Sequence, residues 1–359
     1  MANSLPTPAD AKAALAGFAD PETGRDITKT GQLGDVRVDE QTLTVTLGLT
    51  SHSAMLWDET RKAVETLLKR KFPALGEVRI NVVEHHRPPD KLGQIGLTAK
   101  NVIAVGSGKG GVGKSTIAAS LALGLKRAGS KVGLMDADVY GPSIPHLLGV
   151  SGKPEIVENK IRPIDKDGMP VMSIGFLVNP AEAVIWRGPM LHQTVTQFLR
   201  DVAWGDFDFL IIDMPPGTGD IALTLSQLLP VTGAVVVCTP QEVALLDAVK
   251  AIAMFRKVNI PVAGMVENMS GFVCPDCNKR YDIFGSGGAK AKAEELGVPF
   301  LGDVPIHMAI RTGGDAGHSE GVYDLDATRP YFEKICYQLA KNMAQAATEA
   351  PPLPSLTVL

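Results

Sequence analysis

The segment Gly108-Lys109-Gly110-Gly111-Val112-Gly113-Lys114-Ser115-Thr116 has the spacing GxxxxGK[ST]; an apolar run precedes it and a helical pattern follows. Glycines at these positions let the backbone curl so that successive N–H groups face phosphate oxygens, and the helix beyond presents the positive end of its dipole. Lys114 is placed to hold the β and γ phosphates of ATP, and the Ser115 hydroxyl to ligate Mg2+, with Thr116 packing or bonding nearby. An overlapping GxGxxG begins at Gly106, and Asp136 ends the next apolar run as a ribose-binding acid would, so a dinucleotide site is the competing chemistry. Two lysines five apart and a serine after the second favour the triphosphate.

Hydrolysis needs acids beside that loop. Phe209 to Ile212 run into Asp213, which places this carboxylate at a strand's carboxyl end, able to hold Mg2+ directly or through water. The glycine-rich Met214–Asp220 segment that continues it can approach the γ phosphate and rearrange on hydrolysis. Asp136-Ala137-Asp138 closes the run KVGLMD; Asp138 reads as the acid that positions the attacking water and Asp136 as its support.

Cys274 and Cys277 form a CxxC pair whose thiolates can face one metal, although two ligands are half a tetrahedral site. Zinc, an iron-sulfur cluster and a redox disulfide assisted by Lys279 and Arg280 all fit this spacing. The other two cysteines, Cys238 ending an apolar strand and Cys336 among apolar helix positions, read as core thiols.

These groups need a scaffold. From about residue 100, apolar strand-like runs (NVIAVGS, KVGLMD, FDFLIID, AVVVCT, PVAGMVEN) alternate with helical patterns such as Ser115 to Ala128 and Ala244 to Val258. That alternation predicts an α/β fold with a doubly wound, mostly parallel sheet over residues 100–348, with ligands at the carboxyl ends of the strands. Residues 1–84 predict a small α+β domain, 85–99 a Pro- and Gly-containing linker in which His85 and His86 are a solvated turn, and 349–359 a loose tail.

The 359 residues suit two domains, and 45% hydrophobic with 21% charged residues excludes wholesale disorder. A formal charge of -4, with 35 Lys plus Arg against 39 Asp plus Glu, argues against nucleic acid or an anionic membrane as partner. The start lacks a secretory pattern, no apolar run spans a bilayer, and four cysteines are too few for a disulfide scaffold, so the expected location is cytoplasmic.

Lys109 makes GKGGVGKS resemble the deviant Walker A motif of the MinD, ParA and nitrogenase-iron-protein group. With DADVYGPS, WRGPM at Trp186–Met190, DMPPGTGD, VENMS at Val266–Ser270 and the Cys274–Cys277 pair, the chain is similar to the Mrp/ApbC family of iron-sulfur cluster carrier ATPases over nearly its whole length. The resemblance implies a homodimer in which Lys109 reaches the nucleotide of the facing subunit, and slow, dimer-dependent ATP hydrolysis. It also implies Asn268 contacting adenine, and a [4Fe-4S] cluster shared by the two CxxC pairs and passed to apoproteins. ADPETGRDI at Ala19–Ile27 resembles SufT or PaaD domains, yet SHSAMLWDE lacks the cysteine many relatives carry there, which implies a structural or docking role. A MinD- or ParA-like positioning ATPase, binding membrane or DNA, is the alternative; the tail PPLPSLTVL lacks the basic residues it would need.

Overall fold

The computed structural model describes residues 5–178, 188–217, 219–274, 276–277 and 279–349, and the chain divides into two compact units, Met1–Arg87 with Ala340–Leu359, and Pro88–Leu339.

In the first unit, α1 (Pro8–Ala14) is followed by β1 (Leu33–Asp39), β2 (Thr42–Leu49), α2 (Trp57–Lys71) and β3 (Glu77–Glu84). Alternation of polar and apolar residues in β2 turns Leu43, Val45, Leu47 and Leu49 onto one face, where Val64 and Leu68 of α2 cover them. β2 pairs antiparallel with β1 and parallel with β3. In β1 Val36 is the single buried position, so that strand carries a weak apolar signal in the sequence.

In the second unit the elements are β4 (Lys91–Leu92), β5 (Leu97–Gly106), α3 (Lys114–Ala128), β6 (Val132–Asp136), α4 (Ile144–Leu148), β7 (Ile156–Val157), β8 (Lys160–Ile161), β9 (Ile164–Lys166) and β10 (Met169–Ser173). They continue with α5 (Gly188–Asp201), β11 (Phe207–Asp213), α6 (Gly219–Leu228), β12 (Gly233–Cys238), α7 (Glu242–Lys257), β13 (Val262–Val273), β14 (Arg280–Tyr281), α8 (Gly288–Leu296), β15 (Phe300–Ile306), α9 (Met308–Asp315) and the part of α10 (Arg329–Glu349) that precedes Ala340. The strands β15, β13, β12, β5, β11, β6 and β10 run parallel in that spatial order. Their near-continuous apolar runs are what a sheet covered on both faces requires. In β11 every residue is buried, and each large apolar side chain there contributes about 1.5–3 kcal/mol of transfer free energy.

Residues 91–99 differ from the expected linker. Lys91 and Leu92 pair with Thr98 and Leu97, and Leu92, Ile95 and Leu97 pack on the sheet's core, so burial of these apolar side chains orders a segment whose Pro and Gly content suggested coil. At the other end, Ala340 onward groups with the first unit, where Lys341 Nζ lies 3.0 Å from Glu59 Oε1.

The order of the sheet brings the carboxyl ends of β5, β11 and β6 side by side: Asp213 pairs with Val105 on one side and Asp136 on the other. The loops that leave these ends form the site.

Candidate functional site

Between β5 and α3 the chain turns through two left-handed glycines, Gly111 (φ 80°) and Gly113 (φ 81°), conformations that an L side chain adopts only under strain. Gly108 is required for another reason: a Cβ there would lie 2.1 Å from the carbonyl oxygen of Asp247 in α7. Gly113 is the N-cap of α3 and no side chain caps that end, so the first N–H groups of the helix are left to an anion. The loop is held from both sides. Ser107 Oγ donates to the Lys109 carbonyl (2.9 Å), Gly217 N–H donates to the Ser107 carbonyl (2.9 Å), and Asn268 Nδ2 donates to the Val112 carbonyl (2.9 Å).

Lys114 is buried, and its Nζ stands 2.5 Å from Asp213 Oδ1, 3.1 Å from Ser115 Oγ and 3.6 Å from Asp138 Oδ2. The structure thus joins Lys114, Ser115, Asp138 and Asp213 in one cluster. Asp213 is fully buried, and its Oδ2 has no hydrogen-bond partner among the described residues. Burial raises its carboxyl above the ordinary range against the opposing pull of Lys114. An orphaned carboxylate oxygen beside a serine hydroxyl fits a hard, oxygen-seeking cation such as Mg2+.

Asp136 has a different position. Its Oδ1 accepts from Asp138 N–H (3.0 Å), and its Oδ2 accepts from Ser173 Oγ (2.9 Å) and Ile144 N–H (3.3 Å). Burial, then the charge of Asp213, push its carboxyl well above the ordinary range. Asp136 therefore shapes the loop that carries Asp138. Ser173, at the end of β10, was missed from sequence; the polar residue closing the apolar run MPVMS was its signal. Lys109 is half-buried, and its ammonium makes no ion pair among the described residues.

The cysteine pair lies beyond Asn268 on the same strand. Phe272 and Val273 of β13 pair antiparallel with Tyr281 and Arg280, and Cys274 N–H donates to the Lys279 carbonyl (3.0 Å), closing a hairpin with Cys277 exposed at its tip. Backbone N–H groups of Cys277 and Asp276, with the Cys277 thiol, draw the Cys274 thiol below its ordinary range, as suits a metal-binding thiolate. No third His, Cys, Asp or Glu completes a metal-holding group among the described residues. Cys238 and Cys336 are buried, and burial pushes both thiols up to about 12, so they are inert core groups. Trp186 and Arg187 lie outside the described residues.

Glu267, next to Asn268, was also missed. It is fully buried and accepts from Gly287 N–H (2.7 Å), Ala289 N–H (2.6 Å) and Ser270 Oγ (2.6 Å), capping α8. Its signal was an acid inside an apolar strand.

A parallel sheet whose central strand is followed by the loop GKGGVGKS, with an acid at the end of the neighbouring strand, defines a P-loop nucleoside triphosphatase. The model of the NUBPL iron-transfer P-loop NTPases in the ParA group matches residues 98–343, and that of an iron-sulfur cluster assembly protein matches residues 8–82. An iron-sulfur cluster carrier protein of Synechocystis is 44% identical over 345 residues, 91% of this chain and 95% of that protein. The iron-sulfur cluster transfer protein NUBPL of Dictyostelium discoideum is 48% identical over 77% of this chain and 86% of its own. Among solved structures, a nucleotide-binding protein of Archaeoglobus fulgidus in complex with ADP is 41% identical, with a TM-score of 0.57 over 65% of this chain and 92% of that one. The cell-division ATPase MinD of Pyrococcus furiosus shares the fold at 24% identity and a TM-score of 0.50, over 67% of this chain and 98% of its own. The chain belongs to the NUBPL/iron-sulfur cluster carrier family of P-loop NTPases. No described helix is long and apolar enough to cross a membrane.

Proposed function

We propose that this protein is an ATP-hydrolysing carrier that holds a [4Fe-4S] cluster between the cysteine pairs of two identical subunits and passes it to apoproteins in the cytoplasm. The observation that carries this reading is the hairpin with two thiols, Cys277 exposed at its tip, and no third ligand group beside them among the described residues. A second copy related by a two-fold axis supplies the remaining two sulfurs. A cluster held at such an interface is released by loosening the interface, without unfolding a subunit. The relatives named for cluster carriage and the neighbour solved with ADP support the pairing of the two chemistries.

In the nucleotide site, the backbone N–H groups of Gly108 to Gly113 and the N-terminus of α3 bind the phosphates, and Lys114 neutralises the β and γ oxygens. Ser115 and Asp213 would hold Mg2+, which would supply positive charge against the phosphate oxygens. Asp138 orients that water, and Asp136 holds the Asp138 loop through its backbone N–H. Asn268 contacts the adenine, and Thr116 packs at the first turn of α3. Lys109, free of any ion pair in its own chain among the described residues, is available to the γ phosphate of the facing subunit.

Anaerobic reconstitution with iron and sulfide tests the proposal. The parent should take on a broad brown absorbance and about four irons per dimer, and Cys274→Ala and Cys277→Ala should each stay colourless. A parent that stays colourless and retains zinc would overturn the cluster assignment.

A further inference from the structure

The strand β13 touches both sites, and it is irregular between them. From Asn268 to Phe272 it advances four residues while β15, its partner, advances only from Val304 to Ile306. Met269 (φ 58°) and Gly271 (φ 72°) are left-handed inside this bulge. A non-glycine residue in that region is strained unless its surroundings hold it. The holding groups are identifiable: Ser270 Oγ donates to the buried Glu267 carboxylate at 2.6 Å, and Arg280 Nη2 donates to the Ser270 carbonyl at 3.2 Å. Glu267 is itself fixed by two N–H groups at the start of α8. Gly271 fits closely against Arg280 and Asp282, whose side chains are ion-paired at 3.1 Å.

One end of the bulge rests on the P-loop, where the Asn268 amide bonds the Val112 carbonyl so closely that a Cβ on Gly113 would lie 2.1 Å from Asn268 Nδ2. The Val112 peptide is flanked by the two left-handed glycines, the positions at which the loop backbone turns most freely. The other end of the bulge runs directly into the cysteine hairpin, because Arg280, which holds Ser270, also pairs with Val273 across β14.

We propose that the Asn268–Gly271 bulge is a mechanical link by which phosphate filling the P-loop re-aims the Cys274–Cys277 hairpin, with Asn268, Ser270 and Glu267 as positioning residues. When phosphates engage the loop, the Val112 carbonyl shifts, the Asn268 amide follows, and a bulge held at Ser270 passes the displacement to the hairpin. The bearing of this link on cluster handling rests on the function proposed above; the link itself does not. Coupling of this kind is reciprocal, so metal at the cysteines changes nucleotide affinity by the factor with which nucleotide changes metal affinity.

The test reads thiol reactivity in the reduced, cluster-free full chain. Iodoacetamide labelling of Cys274 and Cys277 is followed by peptide mass spectrometry, with the buried Cys238 and Cys336 as unreactive controls. Saturating Mg2+ with a non-hydrolysable ATP analogue should change the labelling rate of the parent about fivefold or more. Ser270→Ala should bind the analogue, measured by fluorescence of a labelled nucleotide, and dimerise as the parent does, yet lose the rate change. Ser270→Thr, which keeps the hydroxyl, should restore it, and Asn268→Ala at saturating analogue should lose it from the other end. An unchanged rate in the parent, or a full response in Ser270→Ala, would overturn the link; the second result would assign the change to dimerisation alone. Failure of cluster reconstitution alongside an intact labelling response would instead remove the carrier reading and leave the link standing.

Discussion

A fully buried aspartate faces a cation in each unit, Asp20 with Arg87 in the first and Asp213 with Lys114 in the second, and the two are finished differently. In the first unit Asp20 is fully buried and both carboxylate oxygens have donors: Gln32 Nε2 on Oδ1 at 2.9 Å, and on Oδ2 Thr23 N–H at 3.1 Å, Thr23 Oγ1 at 2.7 Å and Arg87 Nη1 at 2.8 Å. Burial alone would raise the Asp20 carboxyl, but those hydrogen bonds and the guanidinium charge outweigh it and hold the group below its ordinary value. In the second unit Asp213 receives Lys114 on one oxygen and leaves the other without a hydrogen-bond partner among the described residues, and its carboxyl moves the opposite way. A complete shell fixes structure, whereas an incomplete one in a buried place is kept for a ligand. The motif ADPETGRDI therefore reads as the framework of the first unit: Asp20 and Glu22 bind Arg87, and Glu22 accepts from Thr50.

The sharpest break between the two pairs comes from removing charge without changing shape. Asp213→Asn should lower Mg2+-dependent ATP turnover by about a thousandfold, the loss expected for one preorganised charge in a dry site, while melting of the second unit barely moves. Near-parental turnover would show that the orphaned oxygen has no catalytic use. Arg87→Ala strips the cation from a pair that is structural, so about 3 kcal/mol of stability should leave the first unit, with ATP turnover unchanged. Hydrogen exchange on the full chain locates that loss, and protection equal to the parent would contradict the framework role.

Within the second unit, Asp138→Ala should slow turnover about a hundredfold at unaltered nucleotide affinity, since Asp138 touches Lys114 only at 3.6 Å and Asp136 retains the loop. Equal slowing and weakening of binding would make it a phosphate-site residue instead. The smallest effect is the pH response of Asp20. A depressed folded-state pKa contributes stability that is present above the ordinary carboxylate value near 3.8 and is lost as pH falls through the lowered one. Acid titration of hydrogen exchange in the first unit should show this loss, and Arg87→Ala should flatten it; identical acid profiles would refute the assignment.

Legibility from sequence followed the range of the interactions. The placement of Lys114, Ser115 and Asp213 together was readable because a P-loop is contiguous and because a carboxylate closing four apolar residues marks the carboxyl end of a buried strand. The inert state of Cys238 and Cys336 was readable from their apolar neighbours. β15 and β10 were not singled out, since PFLGDVPI and MPVMS contain prolines or glycines that read as turns until neighbouring strands bury them. Arg87 pairing with Asp20, 67 positions away, left no pattern that spacing could expose.

By itself the sequence determined which chemical groups are present: a phosphate loop, two acids at strand ends and a closely spaced thiol pair, each written in a few consecutive residues. Only the tertiary structure decided which acids are satisfied and which is left open. It also decided that Asn268 rests on the Val112 carbonyl, 156 positions away, and that one bulged strand joins this contact to the cysteines. Hydrogen-bond completeness depends on donors brought together by strand order and register, and those are settled by burial across the whole sheet rather than by any local run of residues.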